Sequence, residues 1–318
     1  MPEAQKTRGA FRSVLVSRWC RAFQRAALLG LVVLAFGCST PASDGDFSGG
    51  DPVRGKQVAA LAGGCGCHTE RAGPLLAGGN ALATPFGNFY ATNITSDPVH
   101  GIGAWTDAEI ERAIRKGTLP DGSVEAPVMP YYRYAGMSDS DVRDLIAWLR
   151  TVPPSDRRNR PDETWIPMAS FAMRAWRTLF AVPVAPPAHA PSGEGRGRYL
   201  TEAVAICGDC HTPRNAVGAP RRSLYLAGAT GLPGGEKAPN ITPDKETGIG
   251  TWDVADIASC LEMGMLPNMD NVQGLMEEVV DGVAGGPGYA NAAVSDLEAI
   301  AAYIASVPAI RHEPGKGR

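Results

Sequence analysis

Residues 93–117, NITSDPVHGIGAWTDAEIERAIRKG, return at 240–264 as NITPDKETGIGTWDVADIASCLEMG, with 11 of 25 positions identical at one offset (240 − 93 = 147). Self-similarity of this length marks a repeated folding unit rather than a shared short motif. The correspondence extends upstream, where Arg54-Gly55-Lys56 matches Arg196-Gly197-Arg198 (196 − 54 = 142), and downstream, where Ser140-Asp141 matches Ser295-Asp296 (295 − 140 = 155). Each copy carries helix signals. Thr106 with Glu109 makes a capping box, Asp253 can cap the counterpart helix, and Ile110, Ala113 and Ile114 recur at the spacing of one helical face. No run shows the alternation of a half-buried strand, and 38 glycines with 26 prolines favour short helices joined by turn-rich connections. The expectation is therefore an all-α chain of two tandem domains, 51–153 and 195–310. The linker between them, 154–194, is proline-rich, and its apolar stretch 168–180 reads as a short helix docked across both.

The chemistry-bearing residues sit at matching places in the two copies. Cys207-Gly208-Asp209-Cys210-His211 has the Cys-x-x-Cys-His spacing of covalent c-type haem attachment. The two sulfurs lie one helical turn apart and face the same side, so both reach the vinyl groups of one haem while His211 meets the iron. A zinc site or redox dithiol would use the same residue types, but no second Cys/His pair completes a zinc site in that copy. The first copy reads Cys65-Gly66-Cys67-His68, one residue shorter. On a helix, positions i and i+2 point about 200° apart, so Cys65 and Cys67 cannot both face one haem edge unless the backbone leaves the helix. Gly63, Gly64 and Gly66 permit such a departure. The expected bond is a single thioether from Cys67 with His68 as the proximal ligand. Two strained thioethers, a Cys65–Cys67 disulfide without haem, and non-covalent haem remain as alternatives.

An electron-carrying haem needs a sixth ligand, commonly methionine, whose thioether favours reduced iron. The repeat selects among the candidates. Met276 falls on Met129 (276 − 129 = 147), whereas Met263, Met265 and Met269 fall on Lys116, Thr118 and Gly122. Met129 and Met276 are the expected axial ligands. His100, His189 and His312 have no counterpart in the other copy and read as surface residues; Cys260, aligned with Ala113, reads as a small structural thiol.

The motifs CGDCHTPRN, NITPDKETGIGTW and GLMEEVV together resemble those of diheme class I c-type cytochromes that serve as subunits of bacterial periplasmic alcohol, aldehyde and sugar-acid dehydrogenases. The resemblance spans about residues 50–310. It implies two c-type haems (heme c) with His/Met ligation and an electron-carrying role without substrate chemistry. It also implies a dehydrogenase as electron donor and a small cytochrome or terminal oxidase as acceptor, and places Asn93, Trp105, Asn240 and Trp252 near the haem propionates. The chain departs from that pattern in its shortened first motif and in having no third haem domain. A diheme peroxidase or thiosulfate-oxidising cytochrome is the enzymatic alternative, but a peroxidase requires an open iron position, and both copies offer a methionine.

The N-terminus reads as an export signal. Arg8, Arg12, Arg18, Arg21 and Arg25 precede the apolar run 26–37, which is too short to span a bilayer and ends at Cys38. Leu34-Ala35-Phe36-Gly37-Cys38 resembles a bacterial lipoprotein signal, with residues 1–38 as the signal segment, Cys38 lipidated and 39–50 a polar tether. An ordinary cleaved signal is the alternative. Either way the expected location is the periplasm. A net charge of −3 gives no basic footprint for nucleic acid.

Overall fold

The computed structural model describes residues 46–165, 171–181, 183 and 186–315. The signal segment, Cys38 and the first part of the tether lie outside the described residues. Three helices and a short one build the first half: α1 (Pro52–Leu61), α2 (Asp107–Lys116), α3 (Tyr131–Tyr134) and α4 (Asp139–Leu149). Helix α5 (Phe171–Phe180) follows in the connection. The second half contains α6 (Glu194–Tyr199), α7 (Cys207–His211), α8 (Val254–Met263), α9 (Leu275–Asp281) and α10 (Val294–Ser306).

The all-α expectation needs correction, because two small antiparallel sheets accompany the helices. Strands β1 (Ala81–Thr84), β2 (Gly87–Tyr90) and β3 (Glu163–Thr164) form one in that order, and β4 (Ala229–Thr230) pairs with β5 (Lys237–Ala238) in the other. Strands this short hold too few residues for alternation to register in sequence. The β1–β2 turn depends on Gly87, at φ 121, where a Cβ would stand 2.2 Å from the Glu163 carbonyl oxygen of β3.

The upstream Arg-Gly match is a helix crossing. Helix α1 starts at an Asp51 cap, whose side chain accepts from the Val53 amide at 2.8 Å. It crosses α4 at Gly55, where a Cβ would lie 1.9 Å from the Asp144 carbonyl oxygen. In the second half α6, prolonged by a π turn over Leu200–Val204, crosses α10 at Gly197, 2.0 Å by the same measure from the Ala299 carbonyl oxygen. The positions differ by 142 (197 − 55) and 155 (299 − 144), the offsets found in the sequence. Only glycine lets the two backbones approach so closely. Helices α2 and α8 both open with capping boxes and both close on a left-handed glycine, Gly117 at φ 57 and Gly264 at φ 70.

One contiguous apolar core takes residues from both halves, with Val142, Leu145 and Ile146 of α4 and Leu297, Ile300 and Ile304 of α10 in the same cluster. The Tyr199 hydroxyl stitches the halves together, donating to Asp141 Oδ2 at 2.6 Å and accepting from the Ser138 amide at 2.9 Å. Helix α5 touches both halves: Trp176 Nε1 donates to the Val217 carbonyl at 2.7 Å, and Arg177 to the Lys116 carbonyl at 3.0 Å.

Candidate haem-attachment sites

In the second half the chain reaches its motif through one left-handed residue, Ile206 at φ 45, and then runs as regular helix over Cys207–His211. In the first half three consecutive residues are left-handed, Gly63 at φ 63, Gly64 at φ 65 and Cys65 at φ 55, before the chain tightens into a 3₁₀ turn ending at His68. The departure from helix that the shortened spacing demands is therefore present. It is carried by two glycines and, at a strained position for a side chain, by Cys65 itself.

Both histidines end in the same state. His68 Nδ1 lies 2.7 Å from the Thr92 carbonyl oxygen and His211 Nδ1 2.9 Å from that of Pro239. The two carbonyls are repeat partners (239 − 92 = 147). A carbonyl only accepts, so each Nδ1 carries the proton and each Nε2 keeps a free lone pair, the arrangement that orients an imidazole for a metal. Burial holds both histidines below their ordinary pKa, so they are neutral at pH 7. Burial also pushes the thiols up, Cys65 to about 12, Cys207 to about 11 and Cys210 to about 12, with Cys67 raised as well. Yet Cys67 and Cys210 are exposed and both histidines half-exposed. These side chains are thus crowded by protein yet open to solvent. Free, reduced thiols beside histidines whose Nε2 keeps its lone pair are what a covalently attached haem requires, so the residues present fit that group.

The two motifs face each other. Cys67 is close enough to Cys210 for its charge to raise the Cys210 thiol, and Asp209 raises Cys67 in the same way. The first motif is seated on the α9–α10 connection: a Cβ on Gly64 would stand 2.0 Å from the Pro287 carbonyl oxygen, and one on Gly66 3.1 Å from a Val283 methyl. Arg71 is paired with Glu278. Asp209 is held by Arg214 at 2.7 Å and receives a bond from the Tyr132 hydroxyl at 3.3 Å.

Met129 lies half-buried in the connection before α3, its amide donating to the Ala126 carbonyl at 3.0 Å. Met276 is half-buried on α9 and packs against the core cluster. The discarded candidates Met263 and Met269 are 58% and 80% exposed, and Met137 is a fully buried core residue. Trp105 and Trp252 are half-buried against the same core. Asn93 and Asn240 are 2% exposed, and their amides are committed to backbone and hydroxyl partners. Asn93 Nδ2 donates to the Ser155 and Arg157 carbonyls at 2.8 and 3.0 Å, while its Oδ1 accepts from Thr95 N and Oγ1 at 3.0 and 2.7 Å. Asn240 makes the same bonds to Thr242 and donates to the Ile310 carbonyl at 2.7 Å. His312 is half-buried, with Nδ1 2.8 Å from the Ala227 carbonyl, rather than a surface residue.

Sequence reasoning missed Tyr134 and Tyr289. Tyr134 feels the charges of Cys65, Cys67, Asp209 and Cys210, and Tyr289, 4% exposed, those of Cys207 and Cys210. The signal was available: they are in register at the offset of the last helices (289 − 134 = 155).

No family model matches the chain. It is 40% identical over 270 residues to a diheme cytochrome c-type protein of Cereibacter sphaeroides, covering 82% of this chain and 87% of that one. It is 34% identical over 312 residues to the cytochrome c subunit of a quinone alcohol dehydrogenase of Gluconobacter oxydans, spanning 94% of this chain and 63% of that subunit. Against the fructose dehydrogenase cytochrome subunit of Gluconobacter japonicus it is 37% identical over 265 residues, spanning 52% of that subunit. The chain therefore belongs to the diheme c-type cytochromes, electron-carrying haem proteins that include the cytochrome subunits of dehydrogenase complexes.

Proposed function

We propose that this protein is a periplasmic diheme cytochrome built of two tandem cytochrome c domains. In this reading it takes electrons from a dehydrogenase and passes them to a small cytochrome or terminal oxidase. The observation that carries it is the pair of neutral histidines with Nδ1 bound to repeat-related carbonyls and Nε2 free. His68 with Met129 and His211 with Met276 would hold the two irons. Cys207 and Cys210 would make two thioethers, and Cys67 the single thioether of the first site. A c-type haem held by histidine and methionine supplies a one-electron couple of raised potential.

The chain's own part is to fix that couple in place. The carbonyl acceptors set ring orientation and make each imidazole a better donor. The apolar core against which Cys65 and Met276 pack limits how much the surroundings rearrange when an electron is gained or lost. Names of relatives support a dehydrogenase as donor. In this reading the anchor is a lipid on Cys38, ahead of a polar tether; among the described residues no helix is long and apolar enough to cross a membrane.

The test is the mass of the denatured mature protein together with a pyridine haemochrome spectrum. Two retained haem masses are expected, one of them with an unreacted vinyl. Cys65→Ser should keep both and Cys67→Ser should release one. A wild-type mass showing a single haem would overturn the reading for the first site.

A further inference from the structure

Helix α9 carries Met276 but spans only two turns, Leu275–Asp281, between Gly274 and Gly282. A helix that short does not hold its own place, so its position is set by what it touches. At its start the Leu275 amide donates to Glu236 Oε2 at 3.0 Å, a contact within the second half. Its next fixings come from the first half. Glu278, two residues after the methionine, pairs with Arg71, three residues after His68. A Val279 methyl lies 3.6 Å from where a Cβ on Gly63 would stand, and a Val283 methyl, just past the helix, 3.1 Å from one on Gly66. The first half repeats the arrangement in reverse. Tyr132, three residues after Met129, donates to Asp209 Oδ1 at 3.3 Å, two residues before His211. A Cβ on Gly136, just past α3, would lie 3.2 Å from Ala203 in the π turn that leads to the second motif. The methionine-bearing segment of each half therefore leans on the attachment motif of the other.

We infer that Arg71 and Glu278 are positioning residues for methionine ligation at the second site, although Arg71 belongs to the loop of the first. Their ion pair crosses between the halves and holds α9 where Met276 serves as a ligand. Because methionine ligation raises the potential, the loop after His68 then sets the potential of the second site as well as serving its own. The inference rests on the reading that His211 and Met276 ligate one haem; it does not require a haem at the first site.

The experiment titrates the oxidised full-length holoprotein with imidazole, which displaces methionine from ferric haem, and follows loss of the sulfur-to-iron band. Haem content and potentials are measured on the same samples, and Met129→Ala and Met276→Ala assign each signal to its site. Arg71→Ala should tighten imidazole binding about threefold at the haem that Met276→Ala identifies, the scale of one partly exposed ion pair, and lower the potential of that haem alone. Glu278→Gln should do the same, and the two together no more than either, since both break one pair. Exchanging the charges, Arg71→Glu with Glu278→Arg, should restore the wild-type affinity. An Arg71→Ala effect confined to the first haem, or seen at neither, would overturn the brace and leave Arg71 serving only its own loop. Equal loosening at both haems with no rescue by the exchange would mean general destabilisation and overturn it too. A Met276→Ala protein that keeps the wild-type band and potentials would overturn the ligand reading, and the brace with it. One haem in the wild type would overturn only the two-haem reading, because the imidazole shift at the second haem still decides the brace.

Discussion

The two attachment motifs reach the same histidine geometry from different backbones. The second uses one left-handed residue and a regular turn of helix, the first three left-handed residues and a tighter turn. The histidine-to-carbonyl distances nevertheless agree within 0.2 Å (2.9 − 2.7). What the fold holds constant is the histidine, fixed by the loop beneath it, and what it lets vary is the approach to the first cysteine. On the proposed reading, the shortened motif alters the attachment and leaves the histidine in place, which is why that reading gives the single thioether to Cys67 and not to Cys65.

That comparison is broken most severely at Gly64. An alanine there would adopt φ 65 and place its Cβ 2.0 Å from a backbone oxygen of Pro287, which cannot swing aside. Left-handed strain of about 1–2 kcal/mol adds to a clash that separates the first motif from its seat, about 4 kcal/mol in all. The glycine inside the second motif, Gly208, has a Cβ that would meet the Tyr225 ring at 2.4 Å, a side chain that can shift. Gly208→Ala is expected to cost about 2 kcal/mol. Gly122, at φ 80 with nothing within 4 Å of its would-be Cβ, supplies the strain-only reference at about 1 kcal/mol. Thermal unfolding of the three holoproteins checks the order, and a Gly64→Ala loss no larger than that of Gly122→Ala would show that the Pro287 contact is not formed.

A second contrast concerns the asparagines, which do the same local work and hold different things. Asn93 ties the linker at Ser155 and Arg157, while Asn240 ties the C-terminal segment at Ile310. Replacing either by alanine strands buried partners and should cost about 3 kcal/mol. The consequences for the chain should differ. Asn93→Ala should expose the linker to limited proteolysis near residue 155, and Asn240→Ala the segment after α10. Identical cleavage patterns in both variants would erase the distinction.

Much of this was legible in the sequence, and the reason is the repeat. Its offsets located the helix crossings at Gly55 and Gly197, the capping boxes and the matched histidines, because close approach and capping accept few residue types. The identities in NIT and GIG, however, turn out to serve loop construction. Cβ atoms on Gly101 and Gly248 would lie 2.3 and 2.2 Å from the Thr95 and Thr242 carbonyl oxygens, and the asparagines bond backbone and hydroxyl groups. A repeated residue need not be a ligand. The short strands were illegible because two to four residues carry no period. The tyrosines left only a register match (289 − 134 = 155) in the sequence, because their surroundings form only when two halves distant in sequence meet. Glu125 could not be read at all, since burial in a polar-looking loop leaves no mark on composition.

Glu125 also gives the smallest predicted difference between the halves. Its repeat partner is Val272 (272 − 125 = 147), so the second half has no carboxyl at this position. Burial pushes the Glu125 carboxyl from its ordinary 4.5 up to about 7, against the pull of Arg177 on α5, and Oε2 has no hydrogen-bond partner. The folded protein therefore holds a proton that the unfolded chain releases between pH 4.5 and about 7, so the folded state binds more protons and stability falls as pH rises through that window. Below the window the contribution is fully present, and above it the loss is complete. The gap of 2.5 units (7 − 4.5) caps the loss at about 3 kcal/mol; because a surface connection can open to hydrate the charge, about 1–2 kcal/mol is expected. Unfolding midpoints measured at pH 5 and pH 8 should differ more in the wild type than in Glu125→Gln, which keeps the shape and removes the titration. Equal pH dependence in the two proteins would mean that the carboxyl is already ionised and solvated at pH 5.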